Sequence, residues 1–138
     1  MVSMQDLICP FGATQAKEDF GCRHASKIIR RGGAEFACDS ADMHVACSHL
    51  LRRLKDVALP EFGVADDLTQ MPHSTLVKIQ FGGLLGLQRI TGTEANTVAD
   101  IAALIDTAIS EFACIDAIPC ESLCGDIVNY RLSRRSRR

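Results

Sequence analysis

Residues Ser40–Pro60, SADMHVACSHLLRRLKDVALP, carry the pattern that decides the fold class. Apolar side chains recur at Met43, Cys47, Leu50 and Leu54, at spacings of four, three and four. Side chains so spaced stack on one side of a helix, which turns once every 3.6 residues. Ser40 brings a capping hydroxyl, Asp42 a negative charge for the first turn, and Pro60 a stop. The spacing predicts a helix over Ala41–Val57, with Cys47 facing inward and Arg52, Arg53 and Lys55 facing solvent.

Helical spacing continues on both sides of this stretch. Upstream, Gln15–Arg31 places Cys22, Ala25 and Ile29 on one stripe, and RGG at Arg31–Gly33 reads as a basic last turn followed by glycine. Downstream, after the irregular FGVADDLTQMPH, Ser74 can cap a helix through about Ile90 that retains Gly82, Gly83 and Gly86. Each glycine costs a helix about 1 kcal/mol relative to alanine, so three together predict close approach by another backbone or a ligand. Thr93 can cap a fourth helix with Val98, Ile101, Ile105, Ala108 and Phe112 on its stripe, and a short terminal helix follows CIDAIPCESLCG. The fold class expected is all-α: a compact single domain of about five helices over residues 1–130, with a cysteine-lined N-terminal helical pair and a basic flexible tail at residues 131–138.

The chain's 138 residues suffice to bury one core, and 47% apolar residues mark it as globular. Aromatics are only 5% and tryptophan is absent, which argues against a stacking platform for single-stranded nucleic acid. A net charge of −2 gives the body no general attraction to nucleic acid or anionic membrane. MVSMQDLI at the start lacks the basic and apolar regions of a secretory signal, and Leu76–Ile90 is too short and too polar for a span. A soluble protein of the reducing cytoplasm is expected.

In that compartment the seven cysteines are informative. An odd number in a chain able to fold without staples points away from a disulfide framework, toward metal, cluster or reactive thiols. Burial as small hydrophobes explains one or two. Cys9, Cys22, Cys38 and Cys47 crowd the first third of the chain, and no C-x-x-C occurs anywhere. Structural zinc sites usually draw on such close pairs, as do thioredoxin-type redox sites and c-type haem. A four-iron cluster is less demanding, because its thiolates stand apart and one can come from each of several elements. CPFG, FGC and FAC set glycine or phenylalanine beside three of the four, giving close amides and excluding water. The expected cofactor is therefore a 4Fe-4S cluster on Cys9, Cys22, Cys38 and Cys47, with zinc the alternative. His24, His44 and His49 are candidate substitute ligands, His44 foremost because it stands three residues before Cys47.

Cys114, Cys120 and Cys124 form a second group, one thiolate short of a standard site. They are a candidate second metal site, completed by a residue such as His73, or a redox trio. Packing of a terminal helix by Cys120 and Cys124 is the simpler account and ranks slightly ahead. Arg131, Arg134, Arg135, Arg137 and Arg138 make the tail basic, suited to docking an acidic redox partner more than to gripping nucleic acid. No P-loop, GxSxG, HExxH or dinucleotide fingerprint occurs. The function expected is electron transfer, or an accessory place in a redox complex, rather than an enzyme alone. Two competing readings are a thiol or metal sensor that binds nucleic acid or protein through its tail, and a helical interaction module whose cysteines are merely buried.

Overall fold

The stretch Ser40–Pro60 forms the central helix α2, Ala41–Ala58, in a computed structural model that describes residues 7–15, 20–30, 33–62, 73–93, 95 and 97–130. Ser40 Oγ accepts the Met43 N–H at 3.1 Å, so one orphan donor of the first turn is satisfied by the predicted cap. Met43, Cys47, Leu50 and Leu54 are all buried, as the spacing requires. Pro60 falls in a 3₁₀ turn, Leu59–Phe62, that prolongs the helix beyond its expected end. Arg53 departs from expectation: it is half-buried and donates to the carbonyls of Ile115 and Ile118 at 2.9 and 2.7 Å. Its guanidinium thus adds a second donor to each carbonyl, since Ile115 O also accepts the Ile118 N–H and Ile118 O the Cys120 N–H.

Helix α3, His73–Ile90, packs beside α2, and its three glycines meet close neighbours. Gly82 lies against the backbone of Ile127, Gly83 against Leu54, and Gly86 against Asp126. The close approach read from the sequence is therefore made by the terminal helix α5, Cys124–Asn129, and by α2. Helix α4, Ile101–Phe112, completes the core with Ile101, Ile105 and Ala108. Full burial of a leucine or isoleucine contributes about 1.5–3 kcal/mol, and Leu50, Leu54, Ile79, Leu84, Leu87, Ile101 and Ile105 are all buried to 1% exposure or less. The cap of α4 is Asp100, whose carboxylate accepts the Ala102 N–H at 3.1 Å, not Thr93. Val98 lies before the helix, in a parallel bridge to Phe20.

The largest correction concerns the first expected helix. Among the described residues of that stretch only Gln15, the end of α1 (Gly12–Gln15), is helical, and the chain then forms an antiparallel hairpin of β1, Ala25–Arg30, and β2, Gly33–Cys38. The protein is mostly helical with a small two-stranded sheet, not strictly all-α, and the expected cysteine-lined helical pair is a hairpin followed by α2. Ile29, placed on the inward stripe of the expected helix, is 78% exposed. β2 is held on its other edge by Leu7–Cys9: Ile8 bridges Ala37, Cys9 N–H donates to Phe36 O at 2.9 Å, and Cys38 N–H donates to Leu7 O at 2.7 Å. These long-range bonds override a helical stripe of only moderate propensity. Among the described residues no helix is long and apolar enough to cross a membrane. The C-terminal basic run and the Asp66–Asp67 loop lie outside the described residues.

Candidate metal centre

Each of the four N-terminal cysteines is positioned by a different local device. Cys9 ends the short run paired with β2, and its carbonyl accepts the Gly12 N–H at 3.1 Å, turning the chain into α1. Cys22 precedes β1, not on a helix as expected, and its carbonyl accepts the Ala25 N–H at 3.0 Å. The preceding Gly21 is tied to α4: its N–H donates to Val98 O at 3.0 Å and its carbonyl accepts the Ile101 N–H at 2.7 Å. Cys38 closes β2, and its thiol donates to Ser40 O at 3.3 Å. Cys47 projects from the inward stripe of α2.

These devices set Cys9, Cys22 and Cys38 within electrostatic reach of Cys47: ionisation of Cys47 is opposed by all three, that of Cys9 by Cys22 and Cys38, and that of Cys22 by Cys38. Cys38 and Cys47 are buried, whereas Cys9 and Cys22 are half-buried, so the group lies at one edge of the molecule with two thiols toward the surface. Phe11 and Phe20 are buried in the same core as Cys38 and Cys47, and Phe20 packs edge-on against Phe81 of α3 with ring centroids 5.0 Å apart.

Two of the sulfurs accept N–H groups. Gln15 Nε2 donates to Cys9 Sγ at 3.0 Å, joined by the Phe11 backbone N–H. The backbone N–H groups of His24 and of Ala102, the latter in the first turn of α4, act to lower the Cys22 thiol. Burial pushes the Cys9 and Cys22 thiols up, and these hydrogen bonds work against it. Cys47 is pushed up furthest, by burial first and then by the three other thiols. Such thiols stay protonated until a cation displaces the proton, and the N–H groups already face the place where negative charge would form.

The three nearby histidines face elsewhere. His44 Nε2 donates to the Ile8 carbonyl at 3.0 Å; His24 pairs with Asp39 and His49 with Asp116, each at 2.8 Å. Among the described residues no group of three or more His, Cys, Asp or Glu stands ready to hold a metal ion. In the second cysteine group Cys124 lies within electrostatic reach of Cys120. Cys114 is exposed, Cys120 is buried in the core, and Cys124 donates its S–H to Val57 O at 3.2 Å. The His73 side chain lies outside what is described.

Sequence reasoning singled out the four thiols as candidates but missed the residues around them. Gln15, and the bridge of Arg23 to Asp100 and Asp106 at 2.9 Å each, carried no motif. Arg23 follows Cys22 directly, and that adjacency was the one available hint. Searches against protein-family models, curated proteins and solved structures each returned no match.

Proposed function

We propose that the chain is a small iron–sulfur protein that holds one 4Fe-4S cluster on Cys9, Cys22, Cys38 and Cys47 and serves electron transfer, alone or as an accessory subunit of a redox complex. The observation that carries this reading is that Cys9, Cys22 and Cys38, from three separate segments of chain, all oppose ionisation of Cys47 on α2. A single zinc with Zn–S near 2.3 Å would need tetrahedral sulfurs about 3.8 Å apart. A cubane spreads its four thiolates over a wider cage. The N–H donors to Cys9 and Cys22 favour the same reading, because hydrogen bonds to cluster sulfur are a main control of potential. Two half-buried ligands would leave one cluster edge near a partner, and two buried ligands would exclude water from the other.

The test is metal and sulfide analysis of the full chain purified without oxygen. Four irons and four acid-labile sulfides per chain, about one cubane, are expected, with broad absorption lost in Cys→Ser variants at the four positions. One zinc with no sulfide assigns the same thiols to a structural site. Metal-free, colourless, folded protein overturns the proposal.

A further inference from the structure

The hairpin has one closed edge and one open one. On β2, Phe36 O accepts the Cys9 N–H at 2.9 Å and the Cys38 N–H donates to Leu7 O at 2.7 Å, so both residues turn their backbone groups toward Leu7–Cys9. In an antiparallel ladder the direction of these groups alternates from residue to residue. Phe36 and Cys38 stand opposite Lys27 and Ala25, so those two, with Ile29 opposite Ala34, turn their N–H and C=O away from β2. His24 obeys the same alternation from the other side, its carbonyl accepting the Asp39 N–H across the hairpin at 2.9 Å. The Ala25 N–H is taken by Cys22 O at 3.0 Å. The N–H and C=O of Lys27 and Ile29 meet no partner among the described residues. At 78% exposure Ile29 is also the most exposed large apolar side chain among them.

We propose that β1 is the pairing edge of a two-fold dimer, in which β1 of a second copy of this chain lies antiparallel beside it, centred on Ile28, and joins the two hairpins into one sheet. The occupant is a second copy because the edge complements itself. Directly opposite residues of a pleated sheet share a face, so the two-fold axis must pass through a residue and not between two. Centred on Ile28, the pairing sets Lys27 of one copy opposite Ile29 of the other. Each such pair exchanges two backbone hydrogen bonds, and every outward N–H and C=O of Lys27 and Ile29 is used. Ile28 meets its own copy in the non-hydrogen-bonded position between them, where side chains approach most closely. The stem of the exposed Lys27 can lie along Ile29 of the other copy while its ammonium stays in water. A register centred on Lys27 would instead set two ammonium groups opposite each other. The pairing consumes the open edge, so it closes at two copies. It holds whatever the thiols bind, and does not depend on the iron–sulfur reading.

The experiment is sedimentation equilibrium of the full chain, with a thiol reductant present so that no disulfide links the copies. The parent is compared with Ile29→Glu, Ile29→Lys and Ile29→Pro. At about 0.1 mM the parent is expected at twice its 15.0 kDa chain mass. Ile29→Glu sets a carboxylate opposite Lys27 twice per dimer, and Ile29→Lys sets an ammonium there twice, while both lose the same isoleucine. Ile29→Lys should therefore dimerise about tenfold more weakly than Ile29→Glu. An apolar patch that merely sticks would lose equally in both. Ile29→Pro removes an outward N–H and no hydrogen bond of the hairpin, so it should be a single chain with an unchanged circular dichroism spectrum. If Ile29→Pro does not fold, the comparison of Ile29→Glu with Ile29→Lys decides. The proposal is overturned by a single-chain parent, by growth beyond two copies, or by a dimer that survives Ile29→Pro. Ile29→Lys dimerising as well as Ile29→Glu, or better, overturns it too.

Discussion

A Cβ built on Gly82 would stand 2.5 Å from the Ile127 Cα and 2.7 Å from the Asp126 carbonyl oxygen, so α3 and α5 meet backbone to backbone. Neither obstacle is the movable end of a side chain. Gly82→Ala should therefore destabilise the protein by about 1–3 kcal/mol, the usual cost of overpacking a fitted core. Gly83→Ala meets the Leu54 Cδ1 at 2.6 Å, a tip that can turn away, and should cost less. Urea midpoints of the two variants check the order, and equal losses would mean that α5 gives way as readily as Leu54. The cysteines divide by a similar comparison. Cys120 is fully buried in the apolar core, so Cys120→Ser should cost about 1–3 kcal/mol for an inserted hydroxyl and leave iron content unchanged. Cys47→Ser, also buried, should lose iron and sulfide. Iron analysis beside the urea midpoint separates the two roles, and equal iron in both variants would remove Cys47 from the ligand set.

Elements differ in how far their own residues determine them. α2 and α3 were legible because each carries 18 residues of helical spacing, long enough for period to outweigh any one residue. The Ser40 cap was legible for the same local reason, and Ser40→Ala should cost about 1 kcal/mol of stability. The Cys38 thiol bonds the Ser40 backbone carbonyl, not its hydroxyl, so iron content should survive the substitution while the urea midpoint falls. Loss of iron in that variant would mean that the cap itself holds the turn between Cys38 and α2. The hairpin was illegible because ASKIIR spaces Ala25 and Ile29 like a helix, and six residues cannot separate the two periods. Its partners, Gly33–Cys38 and then Leu7–Cys9, act through space. The start of α4 was misplaced for a related reason. Thr93 and Asp100 are both good caps, and the choice falls on Asp100 because Gly21 pairs with Val98 and Ile101.

At the scale of the molecule, the sequence offered the four thiols as a candidate set, while the contacts beside Cys22 come from distant chain: Arg23 and Asp100 are 77 residues apart. The same assembly makes stability depend on pH in a definite direction. Burial is the first cause raising the Cys9, Cys22, Cys47, Cys120 and Cys124 thiols above their ordinary range. Unfolded, such thiols titrate near about pH 8.5. The folded state keeps protons that the unfolded state releases, so this contribution is fully present below that pH and is lost as pH rises through the folded values. Cluster-free protein should show a urea midpoint with no fall from these thiols between about pH 6 and 8, then a decline from about pH 8.5 upward. In iron-loaded protein Cys9, Cys22 and Cys47 would already be thiolates bound to iron, their protons released on binding. Cys120 and Cys124 alone would then contribute, and the alkaline decline should be shallower. Urea titrations of the two forms across this range, with iron measured at each point, compare the slopes directly. Equal slopes in iron-loaded and iron-free protein would mean that the buried N-terminal thiols keep their protons, and the iron would have to be held elsewhere.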